Sequence, residues 1–257
     1  GNSASQLLQA ALATDGNTFP TKVWAHPPYF PRFPLFVKYS GNRNLTWDEP
    51  KGHDRFIEII TIPNNPDNQI YLPKTNVVSQ IHDCTYMWPQ YGPYSTNQIK
   101  HLPEVMIFSL AKAFGIADLR LGWALVKDIK RAKAMEHHIE MQSGGVSLTI
   151  QSDVTYLLEQ ELDADNTAIA HGMNILDNRW ALLKAVLKDK TSVSLKSHGG
   201  MFLWLEVPNG ADWLDATLGI KSAHGEAFGS DRFHCRINVA CQPVHFDYLL
   251  AELSKLD

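Results

Sequence analysis

The chain has 257 residues, a formal net charge of −4 at pH 7, 44% hydrophobic residues and 19% charged residues. These values are typical of a globular protein with one large domain, or with one large and one smaller domain. The weak negative charge, without a basic run, argues against a nucleic acid or an anionic membrane as partner. No apolar stretch is long enough to span a bilayer.

The cysteines and histidines do not suggest a metal site. Cys84, Cys235 and Cys241 are an odd number without metal-ligand spacing, which is typical of free thiols in a reducing compartment. We therefore expect a cytoplasmic protein. His137 and His138 are adjacent and point to different helix faces, so we expect no bound metal.

The first predicted element is a loop that runs into a helix, over Gly1 to Ala13. Ser3 or Ser5 stands where an N-cap belongs, and the free amides of a helix start can bind an anion. An ordinary N-cap is the alternative interpretation. Because the chain opens abruptly at this junction, we expect the natural protein to have residues upstream.

A short strand is predicted over Lys22 to His26, followed by the turn Pro27-Pro28-Tyr29-Phe30-Pro31. The prolines make this turn rigid and extended. A flat aromatic ring held there could stack on a planar cofactor, or it could form a plain hydrophobic corner. The apolar run Leu35 to Tyr39 is predicted to be a further strand.

Two buried strands with polar residues at their ends come next, over Phe56 to Ile62 and Val77 to Cys84. The turn after the first strand carries Asn65, which is well placed to donate to a ligand oxygen. Asp83 ends the second strand, with Tyr86 three positions later. An acid at a buried strand end needs a partner, and a pyridinium N–H would be one.

The most informative stretch is FSLAKAFGIADLRLGWALVKD, which starts at Phe108. The run Val105 to Leu110 predicts a buried strand that leads into Lys112, and GWALVK predicts another strand. Desolvation lowers the pKa of a strand-end lysine and favours a nucleophilic amine, and Arg120 offers a planar cation for a phosphate. This pattern is the signature of a pyridoxal-phosphate enzyme, in which the lysine forms a Schiff base. A lysine that merely extends to water is the alternative.

The alternation of these strands with long connections predicts an α/β fold with a mostly parallel central sheet and helices on both faces. Ligands of such sheets bind beyond the carboxyl ends of the strands. Asn65, Asp83 and Lys112 all lie at predicted carboxyl ends. We therefore expect these three residues to meet at one edge of the sheet.

The remaining chain predicts three helices and then a smaller α+β domain. The helices are expected over Asp128 to Met141, Ser147 to Leu162 and Ile169 to Leu187. The predicted division is a large cofactor-binding domain at 1–145, connecting helices at 146–190 and a small C-terminal domain at 191–257. Arg236 lies within a predicted strand of the small domain, where it needs a carboxylate partner from a ligand or from a structural salt bridge.

The chain resembles the alliinase and plant tryptophan aminotransferase branch of the fold-type I pyridoxal-phosphate-dependent aminotransferases. The matching segments follow the order of that family along nearly the whole chain: GNSASQLLQAAL, VWAHPPYF, TIPNNPDN, IHDCTYMWPQY, FSLAKAFGIADLRLGWALVKD and HCRINVA. The resemblance implies the fold-type I architecture and pyridoxal 5′-phosphate as the cofactor.

The resemblance also implies catalytic roles for Lys112, Asp83 and Tyr86. Lys112 would hold the cofactor as a Schiff base and carry protons during the reaction. Asp83 would pair with the pyridine nitrogen and keep it protonated. Asn65 and Tyr86 would hydrogen-bond the hydroxyl group of the cofactor ring.

Further contacts are implied for the ring face, the phosphate and the substrate. Phe30 would stack on the ring, with its neighbour Tyr29 as the alternative. Arg236 would bind the α-carboxylate of the substrate. The phosphate would be held by Ala4, Ser5, Gln6, Ser109 and Arg120.

Three departures from the family pattern are visible in the sequence. Ala111 stands where the family usually has a serine before the lysine, which removes one hydroxyl from the phosphate site. Phe114-Gly115-Ile116 replaces a Thr-Gly-His stretch, and Asn68 replaces the glycine of the NPDG turn. Asparagine tolerates a positive φ, so the turn can still form.

The resemblance implies transfer of the amino group of an L-amino acid, aromatic ones included, to a 2-oxo acid. The Lys221 to Asn238 region resembles the tryptophan aminotransferase pattern and favours this reaction. The first alternative is a carbon–sulfur lyase acting on a cysteine sulfoxide, and the second is a catalytically degenerate scaffold. A nucleotide-binding Rossmann enzyme has little support because no G-x-G-x-x-G motif follows the first strand. By analogy with the fold, we expect a homodimer.

Overall fold

Two β-sheets organise the chain in the computed structural model, which describes residues 1–16, 18–74, 77–92, 103–163 and 167–257. The helices are α1 Ala4–Ala13, α2 Phe33–Lys38, α3 Leu110–Ala113, α4 Ile129–Ser143, α5 Leu148–Asp163, α6 Ala168–Leu187, α7 Gly210–Leu218 and α8 Pro243–Ser254. The strands are β1 Thr21–Trp24, β2 Leu45–Trp47, β3 Phe56–Thr61, β4 Ser79–Asp83, β5 Val105–Ser109, β6 Gly122–Val126, β7 Ser194–Leu195, β8 Phe202–Glu206, β9 Ala223–His224 and β10 His234–Asn238.

The first sheet has the order β2-β1-β3-β4-β5-β6. Its first five strands are mutually parallel, and β6 pairs antiparallel with β5. Every residue of β3 is buried, as expected of a central strand covered on both faces. The predicted α/β fold with a mostly parallel central sheet is therefore confirmed.

One core packs helices against this sheet. Leu7 and Leu8 of α1, together with Met135 and Ile139 of α4, contact buried strand residues such as Ile59 in one hydrophobic cluster. A smaller cluster joins α3 to Val154 of α5. These contacts fix the amino end of α1 and the lysine-bearing helix α3 relative to the sheet.

The prediction of a strand over Leu35 to Tyr39 is wrong, because the chain forms helix α2 there. Pro34 occupies the first turn of that helix, where a missing N–H costs nothing. The two buried residues, Phe33 and Val37, are spaced four apart and lie on one helical face. The short strand β2 was not predicted from the sequence.

The carboxyl ends of β3, β4 and β5 lie side by side. Thr61 pairs with Asp83 across β3 and β4, and Asp83 pairs with Ile107, two residues before the end of β5. Asn65 follows β3, and Lys112 follows β5 by three residues. The predicted meeting of polar residues at one edge of the sheet is thus confirmed in the strand register.

The second sheet is antiparallel, with the order β7-β8-β10-β9. It shares a hydrophobic core with α6, α7 and α8. This smaller unit agrees with the expected α+β region, while the domain boundaries at 145 and 190 remain a prediction. Within the described ranges, no helix has the length and apolar character needed to cross a membrane.

Candidate active site

A cavity of ≈ 240 Å³ lies at the carboxyl edge of the first sheet. Its wall contains nine of the residues that the sequence predicted to contact a cofactor: Ala4, Ser5, Phe30, Asn65, Asp83, Tyr86, Ser109, Lys112 and Arg120. These residues come from six separate segments of the chain. Their convergence on one cavity makes it the candidate active site.

A larger cavity of ≈ 840 Å³ lies between α6 and the segments around Asn68, Tyr91 and Gly200. Its wall includes neither Lys112 nor Asp83. We assign the chemistry to the smaller cavity because it holds the desolvated amine and the buried carboxylate together.

Asp83 is held by the residue two positions further along the chain. Its Oδ1 accepts the Thr85 backbone N–H at 3.1 Å and the Thr85 hydroxyl at 2.5 Å. In the described part of the chain, no protein donor contacts Oδ2. Burial raises the pKa of the Asp83 carboxyl, and the two hydrogen bonds from Thr85 oppose that rise.

Tyr86, Asn65 and Arg236 form a chain of hydrogen bonds. Asn65 Nδ2 donates to the Tyr86 hydroxyl at 3.3 Å, and Arg236 donates through a guanidinium nitrogen to Asn65 Oδ1 at 2.8 Å. Burial raises the pKa of Tyr86, so its hydroxyl stays protonated at neutral pH. This chain links strand β10 of the second sheet to the cavity.

The Arg236 guanidinium lies against two aromatic rings, 4.1 Å from the Phe202 centroid and 4.7 Å from the Phe228 centroid. No carboxylate in the described ranges pairs with it. The salt bridge that was the alternative interpretation of Arg236 is therefore absent among the described residues. A planar cation fixed in this way suits a bidentate carboxylate ligand.

Lys112 lies on the short helix α3, and its Nζ is 5.7 Å from the centroid of the Tyr86 ring. It forms no ion pair with any described residue. Burial, with a further contribution from the positive charge of Arg236, lowers the pKa of Lys112. A larger fraction of the amine is consequently in the nucleophilic, unprotonated form than for an exposed lysine.

The backbone around Lys112 is fixed by a neighbouring loop. The Tyr91 hydroxyl donates to the Lys112 carbonyl at 2.8 Å, and Gln90 Nε2 donates to the carbonyls of Lys112 and Ala113 at 3.2 and 2.7 Å. Trp88 Nε1 donates to the Ser109 carbonyl at 3.2 Å. These contacts were not predicted, although the YMWPQY segment was singled out.

The amino end of α1 supplies the anion-binding part of the wall. Ser3 is the N-cap, and its hydroxyl accepts the backbone N–H of Gln6 at 3.1 Å. The N–H groups of Ala4 and Ser5 belong to the first helical turn and have no acceptor in the helix. Together with the Ser109 hydroxyl they form donors suited to a phosphate group.

Arg120 also lines this region, and its own backbone is in the left-handed conformation, with φ 36° and ψ 44°. The following strand begins at Gly122, which exchanges backbone hydrogen bonds with Gly1 at 2.9 and 3.1 Å. A Cβ at Gly122 would lie 2.5 Å from the Phe108 carbonyl oxygen, so only glycine fits. This close approach places Arg120 beside the start of α1.

The structure distinguishes Phe30 from Tyr29 as the aromatic residue that can stack on a cofactor ring. Phe30 lines the cavity, whereas the Tyr29 ring packs edge-on against Trp47 at 5.0 Å and lies outside the wall. Gln6 is also outside the wall, because its amide accepts from Asn2 at 2.7 Å and donates to Ser143 at 3.0 Å. Its side chain is therefore not available to a phosphate in this arrangement.

Thr85 is one of the wall residues that sequence reasoning missed; the others are Leu8, Phe36, Thr61 and Ala117. The signal was present as a hydroxyl residue two positions after Asp83, the spacing at which an aspartate side chain accepts a backbone N–H. Ala111 also lines the wall, so the position of the family's usual serine faces the cavity without a hydroxyl.

Pyridoxal 5′-phosphate fits these residues. Asp83 Oδ2 lacks a protein donor and can accept a pyridine N–H, Lys112 offers an unpaired amine, and the start of α1 offers free amides. The fold and this cavity together define the class of fold-type I pyridoxal-phosphate proteins.

The family follows from a wider comparison. The family model described as Allinase matches residues 1–257, so the chain belongs to the Allinase family. Pyridoxal 5′-phosphate is the cofactor of that family.

Relatives and solved structures agree with this placement. Tryptophan aminotransferase-related protein 3 of Arabidopsis thaliana is 30% identical over 290 residues, which covers 99% of this chain and 63% of the relative. An alliin lyase of Allium cepa var. aggregatum is 28% identical over 184 residues, which covers 65% of this chain and 40% of the relative. YbdL from Escherichia coli, described as having a methionine aminotransferase function, superimposes with a TM-score of 0.79 at 14% identity and covers 100% of this chain and 77% of YbdL. This likeness confirms the predicted fold. The chain spans about three-fifths of the length of these plant tryptophan aminotransferase-related relatives.

Proposed function

We propose that the protein is a pyridoxal-phosphate-dependent aminotransferase that moves the amino group of an L-amino acid to a 2-oxo acid. The observation that carries the proposal is the shared cavity of Lys112 and Asp83. The amine has no anionic partner among the described residues, and the carboxylate has one oxygen free of protein donors. Both features suit a ligand with an aldehyde and a protonated ring nitrogen.

The proposed contacts to the cofactor follow the wall of the cavity. Lys112 Nζ holds the cofactor covalently, Asp83 Oδ2 accepts its pyridine N–H, and Tyr86 with Asn65 hydrogen-bonds its ring hydroxyl. Phe30 covers the ring face. The phosphate is held by the amides of Ala4 and Ser5, the hydroxyl of Ser109 and the guanidinium of Arg120.

In the proposed reaction, Arg236 binds and orients the substrate carboxylate. Lys112 Nζ takes the proton from the substrate Cα and returns it at a later step, a form of acid–base catalysis typically worth about 10²–10⁴-fold. The cofactor, when bound, supplies the ring that takes up negative charge from Cα. Asp83 stabilises the protonated ring nitrogen throughout.

Carbon–sulfur lysis is the second candidate, and the similarity to alliin lyase over 65% of the chain favours it. In that reaction Lys112 removes the same proton, the β-substituent leaves, and water converts the remaining aminoacrylate into pyruvate and ammonia. We favour transamination because the Lys221 to Asn238 region resembles the tryptophan aminotransferases. A degenerate scaffold would not require Lys112, Asp83 and Arg236 to be retained around one site.

The two reactions are separated by their substrates. The purified protein with pyridoxal phosphate is incubated with an aromatic amino acid plus pyruvate, and separately with a cysteine sulfoxide alone. Transamination predicts alanine and an aromatic 2-oxo acid from the first mixture. Pyruvate from the sulfoxide, with no alanine from the first mixture, would contradict the proposal and support the lyase.

Replacement of Lys112 tests the covalent role directly. Lys112→Ala is expected to abolish the yellow absorbance of the bound cofactor and to lower turnover by about 10²–10⁴-fold. Lys127→Ala, at an exposed position directly after strand β6, is the matched control and should leave both unchanged. If the wild-type protein never acquires the yellow colour with added cofactor, the scaffold interpretation is supported instead.

A homodimer remains part of this proposal. Residues 143–147 and Arg120 line a further cavity of ≈ 520 Å³ beside the site, where a partner subunit would have room to approach Arg120. Light scattering is expected to give twice the mass of the chain in the presence of cofactor. A monomer with bound cofactor would contradict this expectation.

A further inference from the structure

The Asp83 carboxylate receives all its hydrogen bonds in the described structure from one residue, Thr85. The backbone N–H of Thr85 closes a turn on Oδ1 at 3.1 Å, and the hydroxyl of Thr85 binds the same oxygen at 2.5 Å. Two donors on one oxygen fix the rotation of the carboxylate about its Cβ–Cγ bond. The β-branched threonine is itself restricted in χ1, so the clamp loses little side-chain entropy.

The other groups around Asp83 cannot take over this task. Thr61 is its partner on β3, and Cys84 and Tyr86 are titratable neighbours whose pKa values its charge raises. Burial raises the pKa of both Cys84 and Tyr86, so each is neutral at physiological pH. The cations Lys112 and Arg236 form no ion pair with Asp83 in the described residues.

Burial of Asp83 acts against its charged form. Desolvation raises the pKa of its carboxyl, and the side-chain hydrogen bond from Thr85 is the largest effect in the opposite direction. A carboxylic acid that became neutral would no longer stabilise a protonated pyridine nitrogen. The hydroxyl of Thr85 is therefore placed where it can favour the charged form of the Asp83 carboxyl before any ligand binds.

We propose that the Thr85 hydroxyl is a positioning group that keeps Asp83 anionic, occupies Oδ1 and leaves Oδ2 for the pyridine N–H of the cofactor. Thr85 touches the reacting groups only through Asp83. This inference rests on the proposed function, because the cofactor supplies the ring nitrogen. The anionic Asp83 would then keep the ring nitrogen of a bound cofactor protonated.

The test compares Thr85→Val with Thr85→Ser. Valine keeps the branched shape and the backbone N–H but removes the hydroxyl, whereas serine keeps the hydroxyl. In the cofactor-free protein, a ¹³C NMR titration of the Asp83 carboxyl, assigned with Asp83→Asn, is expected to move upward by about one to two pH units in the valine variant. The serine variant is expected to titrate like the wild type.

Cofactor binding gives the second measurement. The valine variant is expected to bind pyridoxal phosphate roughly tenfold or more weakly, with less protonation of the ¹⁵N-labelled ring nitrogen. The serine variant should restore both properties. Circular dichroism checks folding, and Thr85→Ala replaces the valine variant if that protein does not fold.

Each outcome is decisive for one of the two ideas. An unchanged Asp83 titration in the valine variant would overturn the role of Thr85, and so would a serine variant as impaired as the valine variant. Failure of the wild-type protein to bind pyridoxal phosphate would overturn the proposed function instead. The Asp83 titration would still report whether the hydroxyl controls the carboxylate.

Discussion

His82 and Asp83 are neighbours at the end of β4, and burial has a different consequence for each. Successive strand residues face opposite sides of a sheet, so only one of the two can face the cavity. Asp83 does so, while His82 is 3% exposed and neither of its ring nitrogens has a partner among the described residues. Burial lowers the pKa of His82 to about 4, although Glu104 acts in the opposite direction.

The buried His82 predicts a pH-dependent stability. Its pKa is lower in the folded state than in the unfolded state, so the unfolded chain binds the extra proton between about pH 6.5 and pH 4. The free energy of unfolding therefore falls as the pH falls, and this group alone lowers it by about 2 kcal/mol between pH 8 and pH 5.

The measurement is urea denaturation at both pH values. His82→Leu is expected to remove that part of the loss, and His137→Leu, at an exposed position, is expected to keep it. An equal loss of stability in the wild type and in both variants would contradict the assignment to His82.

The sequence identified Asp83 and Lys112 because each follows an apolar run, and a polar residue at the end of a buried strand is conspicuous. Thr85 was not found, because its importance depends on a hydroxyl rotamer aimed at a neighbour. The structure does not bring the Gln6 side chain to the cavity wall, for a related reason. A helix start can be recognised in a sequence, but the direction of a glutamine side chain depends on tertiary contacts such as the one with Ser143.

The sequence predicted the helices and strands that have long hydrophobic patterns, but it did not predict the short elements α2 and β2. The central strands and α6 carry clear patterns, whereas the six residues of α2 contain Pro34 and four apolar side chains that read equally well as a strand. Strand β2 has three residues and gains its structure from pairing with β1. Its existence depends on a partner that the local sequence does not specify.

Helix α3 is a short element that depends on another segment. With four residues it is too short to be stable alone, and its last carbonyl groups have no N–H donor within the helix. Gln90 and Tyr91 satisfy the carbonyls of Lys112 and Ala113. The segment that follows β4 thereby fixes the lysine that follows β5.

Removal of the Tyr91 hydroxyl tests this dependence. Tyr91→Phe is expected to lower the free energy of unfolding by about 1 kcal/mol and to weaken cofactor binding several-fold, because the Lys112 backbone loses a tether. Tyr248→Phe is the matched control, since its hydroxyl donates to the Leu218 carbonyl at 3.1 Å away from the cavity. Thermal unfolding and cofactor titration measure the two effects. Equal cofactor affinity in both variants would show that the tether does not position the lysine.

At the scale of the whole molecule, Arg236 of β10 in the second sheet donates a hydrogen bond to Asn65, in the loop that follows β3 of the first sheet. The sequence predicted both sheets, since each has its own hydrophobic pattern, but not this contact between the two regions. Arg236 and Asn65 are 171 positions apart, and no local pattern encodes their approach. The domain boundaries remain a prediction for a similar reason, because they concern relations between segments rather than the segments themselves.

The contact between the two regions gives the last prediction. Arg236→Lys replaces a planar, bidentate cation held between Phe202 and Phe228 by a flexible point charge, so the substrate carboxylate loses its fixed partner. Because lysine keeps the positive charge but loses one charge-assisted hydrogen bond, typically worth about 1.5–3 kcal/mol, we expect the KM for the amino acid to rise by roughly 10- to 10²-fold. Cofactor affinity should change only a few-fold, because the wall that holds the cofactor retains its other contacts.

Arg232→Lys, at an exposed arginine of the same sheet region that packs on Phe233, is the control and should leave the KM unchanged. Steady-state kinetics with varied amino acid, combined with cofactor titration, measures both quantities. A loss of cofactor affinity as large as the rise in KM would instead mean that Arg236 supports the cavity through Asn65 and does not contact the substrate.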